Sequence, residues 1–264
     1  MLIRGGGDLA SGVAARLHRA GLQVLITELP NPLVVRRLVA FAEAVYAGET
    51  TVGGITARLA ENFVAAEEIL GEGKIAVLVD PDMEILADFK PLVLVDGRMR
   101  KEPPEVGMEA APLVIGLGPG FVAGENCHAV VETMRGHNLG RVIWEGSAQA
   151  DTGIPDAIGN TREERVLRAP ADGRLAARAA ICDHVEKGDL IAVVSEQAVV
   201  APFMGVLRGL VHEGVEVKKG MKIGDVDPRD DPRFCTTASD KSLAVGGGVM
   251  EAVLSRADIR ERLA

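Results

Sequence analysis

Three glycine-rich segments stand where backbone amides could hold an anion. The first, Gly5-Gly6-Gly7-Asp8-Leu9-Ala10, fits the pattern GxGxxG/A with Ala10 last, and Glu28 follows about 20 residues on, at the spacing of an acidic ribose contact. In that arrangement the open N–H groups and the dipole at a helix N-terminus hold a phosphate. Gly5, Gly7, Asp8, Ala10 and Glu28 are therefore candidate contacts for a nucleotide-type ligand such as NAD(P). The competing reading is a tight strand-to-helix turn in which Asp8 caps its own helix. The second segment, Gly116-Leu117-Gly118-Pro119-Gly120-Phe121, makes Gly116, Gly118 and Gly120 candidates at the same sheet edge. The third, Gly246-Gly247-Gly248, reads either as an anion cradle or as a place of close backbone packing.

Beside the third segment, Cys235, Asp240 and Lys241 put a thiol, a carboxylate and an amine within one short polar stretch. Lys241 could lower the thiol pKa, which makes these the candidates for catalysis, against the alternative of an inert buried cysteine. A helix opening near Ala123 would carry Glu125, His128, Glu132, Arg135 and His137 on one polar face, either functional or merely solvated. Asp96-Gly97-Arg98-Met99-Arg100-Lys101 reads as a basic loop or an anion contact.

To position these groups the chain needs a sheet. Short apolar runs at 2–4, 23–27, 74–79, 92–95, 113–117 and 141–144 alternate with longer amphipathic segments, the pattern of parallel strands joined by crossover helices. The helical segment Ser11 to Ala20 keeps Val13 and Leu17 on one face and Arg16 and Arg19 off it. The expected fold is α/β with a Rossmann-like parallel sheet over residues 1–162. Leu243-Ala244-Val245 before the third glycine segment reads as another strand, so residues 229–264 are expected to return to that domain.

Between them lies an internal repeat. With a shift of 32 residues, Ala169-Pro170, Gly173 and Leu175 recur as Ala201-Pro202, Gly205 and Leu207, and Val185, Lys187-Gly188, Ile191 and Val194 recur as Val217, Lys219-Gly220, Ile223 and Val226. One such unit reads as three short strands, too small to bury its own apolar face, so two must interlock. The expectation for 163–228 is a lipoyl/biotinyl-like barrel-sandwich module inserted in the α/β domain. Its junction, Ser195-Glu196-Gln197-Ala198, has no lysine, so no lipoate or biotin is expected to be attached.

The net charge of −9 and the absence of a basic run argue against nucleic acid as a partner. No apolar stretch approaches the roughly 20 residues that span a bilayer, and the expected location is the cytoplasm. Cys127, Cys182 and Cys235 form no CxxC pair, so neither a disulfide framework nor a metal site is expected.

Six motifs in order resemble one family: 3–12 (Ile3 to Gly12), 27–30 (Thr27 to Pro30), 95–99 (Val95 to Met99), 115–121 (Ile115 to Phe121), 132–137 (Glu132 to His137) and Ser239-Asp240-Lys241. This is the selenium-dependent molybdenum hydroxylase accessory protein family, often called YqeB. Gly6, Ser11 and Gly97 depart from its pattern, where alanine, threonine and alanine are expected. The resemblance implies a protein that matures, or supplies cofactor or selenium to, a molybdenum hydroxylase, with that enzyme or its maturation machinery as partner. It assigns no active site. Combined with the glycine segments, it points to an accessory protein holding a nucleotide-type ligand, NAD(P) or a molybdopterin dinucleotide. The alternatives are an NAD(P)-dependent oxidoreductase, with His128, His137 and Lys241 as its proton-transfer groups, and a non-catalytic docking scaffold. A homo-oligomer is compatible with each.

Overall fold

A computed structural model describes residues 1–100, 102–151 and 164–263. Lys101 and the expected domain boundary between residues 162 and 163 lie outside the described residues. One compact unit takes in Met1–Pro32, Phe41–Thr152 and Ala238–Ala264, and the other Leu33–Ala40 and Gly153–Thr237.

The first unit is built on β1 (Leu2–Arg4), β2 (Leu25–Glu28), β3 (Glu49–Val52), β4 (Ile55–Ala60), β5 (Ile75–Val79), β6 (Val93–Asp96), β7 (Leu113–Leu117), β8 (Val122–Ala123), β9 (Ala129–Val131), β10 (Val142–Ile143) and β11 (Gly146–Ser147). Nine of these form one sheet in the order β10-β9-β7-β6-β1-β2-β5-β4-β3, and β8 pairs with β11 apart from it. The central strands are short and continuously apolar because both faces are covered. Leu2, Leu25, Ala76, Leu94 and Val114 face a core completed by Ala66, Ile69 and Leu70 of a helix at Phe63–Gly71. In register, Ile3 lies between Ile26 and Val95, all three fully buried.

Among the described residues three helices longer than one turn serve this unit: α1 (Asp8–Arg19), α2 (Phe63–Gly71) and α3 (Asp240–Ser255). Ser239 caps α3, its Oγ accepting the Ser242 N–H at 3.0 Å. α1 and α3 cross through small residues. A Cβ on Gly246 would stand 2.7 Å from the Gly12 carbonyl oxygen, and one on Gly12 would stand 2.5 Å from that of Ser242. That contact explains why a glycine-rich segment is helical here, since backbones approach only where side chains are missing.

The expected Rossmann-like parallel sheet is thus corrected to a mixed sheet. β3 runs antiparallel to β4 at one edge and β10 antiparallel to β9 at the other. The link from β6 to β7 carries only a single 3-10 turn, Met108–Ala110, among its described residues. Residues 122–131 form β8 and β9 rather than a helix opening at Ala123. The strand expected at 243–245 lies inside α3, so the return segment adds helix to the unit and no strand.

The second unit holds β12 (Val166–Arg168), β13 (Gly173–Ala177), β14 (His184–Val185), β15 (Leu190–Val194), β16 (Gln197–Val200), β17 (Gly205–Leu210), β18 (Glu216–Val217) and β19 (Lys222–Asp227). They form two sheets, β12-β19-β17-β14 and β16-β15-β13-β18, so strands 32 residues apart take equivalent places in the two. Each sheet draws strands from both halves. The apolar faces of the two halves are accordingly buried, Leu175, Val185 and Ile191 with Leu207, Val217 and Ile223.

The lipoyl/biotinyl-like inserted module is corrected along with the parallel sheet. Each half has four strands, not three, and the unit incorporates residues 33–40 from far upstream. Arg36 donates to the Phe234 and Thr237 carbonyls at 2.9 and 3.0 Å, and Arg37 donates to the Leu210 carbonyl at 2.8 Å. Gly209 is needed at this seam, because a Cβ there would meet the Val35 carbonyl oxygen at 2.7 Å.

Candidate anion-binding site

Five strands of the large sheet point their carboxyl ends to one edge and finish on, or just before, a buried ionisable residue: Asp80 after β5, Glu28 on β2, Arg4 on β1, Asp96 on β6 and Glu132 after β9. Burial of a charge is expensive unless hydrogen bonds replace its water, so the partners of each decide its role.

All four carboxylates accept backbone amides, Asp96 that of Arg98 at 3.2 Å, and for Asp80, Glu28 and Glu132 amides are the whole set of hydrogen-bond partners among the described residues. Asp80 accepts from Glu84 and Ile85 at 2.9 and 3.0 Å. Glu28 accepts from Gly6 at 2.6 Å and Leu29 at 2.8 Å. Glu132 accepts from Thr133 and Met134 at 2.7 Å and from Gln149 at 2.8 Å. These groups fix loops. Burial pushes the Glu28 carboxyl above its ordinary value, against the opposing pull of the Gly6 and Leu29 amides and the Arg98 charge.

Asp96 differs. It takes Arg98 side-on, with Nε to Oδ1 at 3.0 Å and Nη2 to Oδ2 at 2.7 Å, and Arg4 lies 3.9 Å away. Arg4 also donates to the Pro81 carbonyl at 3.0 Å. One oxygen of Glu105 then accepts from Arg4 at 2.9 Å and from Arg98 at 2.7 Å, while its other oxygen pairs with Arg100. The Arg4 and Arg98 side chains are only 7% and 18% exposed, whereas Glu105 is 48% exposed, so the arginines are the fixed members. Burial alone would lower the Arg98 pKa, but its bonds to Asp96 and Glu105 outweigh that and raise it. The Arg98 bond in turn pulls the Glu105 carboxyl down to about 2. Two converging guanidiniums at the sheet edge, with a third beside them, suit a phosphate or carboxylate oxyanion. Among the described residues no cluster of His, Cys, Asp and Glu could hold a metal ion.

The sequence candidates fall around this site unevenly. Gly5 makes the turn from β1 at φ +88°, its N–H bonded to the Thr27 carbonyl, and its absent Cβ leaves 3.1 Å to Arg98 Cγ. Gly6 is enclosed. Its N–H goes to Glu28, its carbonyl takes the Ala42 N–H and the Ser11 hydroxyl, and a Cβ would stand 2.8 Å from the Ala42 nitrogen. Gly7 is the N-cap residue of α1 without a side-chain cap, Asp8 is the first helical residue and Ala10 is buried within the helix. Both Glu28 oxygens already accept an amide, that of Gly6 or of Leu29, so a dinucleotide seated on this loop would share Glu28 with them.

In the second segment Gly116 packs under Phe121, whose ring would lie 2.0 Å from a Cβ. Gly118, at φ +73°, lies against the Thr133 hydroxyl, and Gly120 takes φ +102°. These are turn and packing glycines at the edge. Gly246, Gly247 and Gly248 are interior residues of α3, and a Cβ on Gly248 would reach within 2.1 Å of the Gly140 carbonyl oxygen.

The candidate thiol group divides between the two units. Cys235 is fully buried in the second unit with its thiol on the Leu207 carbonyl at 3.8 Å, and burial, with Cys182 beside it, pushes its pKa up to about 12. Asp240 and Lys241 open α3 in the first unit, and Asp240 is paired with Arg135, Nη2 to Oδ1 at 2.7 Å. His128 accepts the Val114 N–H on Nδ1 at 2.9 Å, near the amino end of β7, so it lies at the opposite edge from Arg98. His137 is exposed.

Sequence reasoning passed over Arg4, Asp80 and Glu105, and favoured a plain basic loop for Asp96 to Lys101. The available signal was a charged residue at the end of every short apolar run but 113–117, since a buried strand seldom finishes on a charge without a partner for it.

No family model matches the chain. Among solved structures it is similar to an aspartoacylase family protein from Mesorhizobium loti, at 18% identity over 24% of this chain and 23% of that one, with a TM-score of 0.23. The apo ectoine utilization protein EutE (DoeB) from Ruegeria pomeroyi aligns at 11% identity over 85% of each chain, with a TM-score of 0.24. A succinylglutamate desuccinylase from Silicibacter sp. aligns at 14% identity over 85% of this chain and 83% of that one, with a TM-score of 0.25. Superpositions at this level carry no argument, so the corrected fold rests on the chain's own sheet topology. The uncharacterised protein YqeB of Escherichia coli (strain K12) is 47% identical over 254 residues, 96% of this chain and 47% of that protein. The chain therefore spans about half the length of this curated relative and is YqeB-like over nearly the whole of its own.

Proposed function

We propose that the chain is a cytoplasmic accessory protein for a selenium-dependent molybdenum hydroxylase, holding a nucleotide-type ligand by its phosphate at the carboxyl edge of the large sheet. The accessory role is supported by the six motifs of the family resemblance. The ligand site is supported by one observation, the convergence of the Arg4 and Arg98 guanidiniums on one half-exposed carboxylate beside the Gly5 turn. Arg98 would hold the phosphate in the fork that Glu105 now occupies, with Arg4 beside it and Asp96 fixing the fork's orientation.

A molybdopterin dinucleotide meets this description as an anionic ligand. An NAD(P)-dependent oxidoreductase is less well supported, because Glu28 is engaged with amides and His128 lies at the far edge. The test is complementation. A strain deleted for this protein is expected to lose the activity of its selenium-dependent molybdenum hydroxylase and to regain it with the wild type but not with Arg98→Ala. Full hydroxylase activity in the deleted strain would refute the accessory role.

A further inference from the structure

Glu105 lies in the stretch between β6 and β7, whose described residues hold only the turn Met108–Ala110. Its carboxylate satisfies three guanidiniums at once, yet nearly half of its side chain is exposed. Neither Asp80, Glu28 nor Glu132, the carboxylates that hold backbone in place, is exposed above 9%. A carboxylate with planar oxygens in an arginine fork has the geometry of one edge of a phosphate. We infer that Glu105 is an internal occupant of the phosphate site, a self-inhibitory contact that a ligand phosphate displaces from Arg4, Arg98 and Arg100. The inference rests on the ligand site proposed above and adds how that site is kept closed.

Displacement has a measurable consequence. If the occupied form dominates by about ten to one, apparent affinity for a phosphate ligand is lowered about tenfold, and removal of the occupant restores it. Inorganic pyrophosphate is the probe, titrated calorimetrically into the full chain as wild type, Glu105→Ala, Glu105→Gln and Glu102→Gln. Among the described residues Glu102 pairs with Arg100 alone, at 2.8 Å, and controls for the simple loss of a negative charge. Circular dichroism checks that each variant is folded.

The expected result is roughly tenfold tighter binding in both Glu105 variants and little change in Glu102→Gln. Equal affinity in wild type and Glu105 variants would overturn the occupant while leaving the ligand site standing. So would weaker binding in the variants, which would make Glu105 part of the site, or equal tightening in Glu102→Gln, which would reduce the effect to net charge. No binding in any form, Glu105→Ala included, would overturn the ligand site itself.

Discussion

The Glu28 carboxylate accepts the Gly6 amide at 2.6 Å, so the acidic residue and the glycine loop that would together seat a dinucleotide are instead bound to each other. Glu28→Ala would leave the Gly6 and Leu29 amides without their acceptor, at about 1–3 kcal/mol for each group left unpaired. Glu28→Gln keeps one acceptor and should lose less. Because burial raises the folded-state pKa of Glu28, its contribution is fully present below the unfolded value and declines as pH rises through the folded one. The stability of wild type relative to Glu28→Gln should therefore fall from pH 4 upward, measured by thermal melts across the range. A gap that widens with pH would contradict this.

The glycines of α3 separate helix from anion loop. Gly247 faces open space, so Gly247→Ala should stabilise by up to about 1 kcal/mol through helix propensity. Gly248→Ala drives a methyl into the Gly140 carbonyl and should destabilise by about 1–3 kcal/mol or more. Denaturant melts of both variants check the pair. Equal loss in the two would point to a functional loop.

Asp240 opens α3 and pairs with Arg135, whose hydrogen bonds hold its carboxyl down at about 2. A depressed carboxylate contributes stability above its unfolded value that is lost as pH falls through the folded one. Asp240→Asn should therefore lower stability above about pH 4 by no more than about 1 kcal/mol, the pair being exposed, and match wild type near pH 2. Melts at both ends of that window decide it.

Thiol labelling reads the cysteines directly. Burial pushes Cys127 up to about 11 and Cys235 up to about 12, and both are fully buried, whereas Cys182 is half-buried. At neutral pH a thiol reagent should modify Cys182 in the native protein and the other two only after denaturation. Rapid native labelling of Cys235 would restore it as a nucleophile candidate.

What could be read from sequence follows from the range of the interactions. β1, β2, β5, β6 and β7 were legible because strands buried on both faces leave continuous apolar runs such as Ile75 to Val79. The helix over Leu243-Ala244-Val245 was not, since branched residues before three glycines mimic a strand and loop, and only the distant Gly12 and Gly140 show why those glycines are there. The edge strand β3 is short and half-exposed, with no signature that distinguishes it from a loop, whereas β10 falls within the run read at 141–144 and only its antiparallel direction was not legible. Gly5 and Glu28 lie at the carboxyl edge of the sheet, where the strand pattern put them, but their bonding partners were not legible. The pairing of Arg4 with Glu105 spans about a hundred residues and has no local pattern.

On the proposed reading, an anionic, nucleotide-type ligand is held by Arg4 and Arg98 at the sheet edge and not by the first glycine loop. Isothermal titration of NAD(H), NADP(H), ATP, CTP and molybdopterin dinucleotides into wild type, Arg98→Ala and Gly7→Ala tests it most directly. Binding that Arg98→Ala abolishes and Gly7→Ala retains is the predicted result. Binding lost in Gly7→Ala but kept in Arg98→Ala would return the ligand to the loop and contradict the claim, as would the absence of binding by every compound.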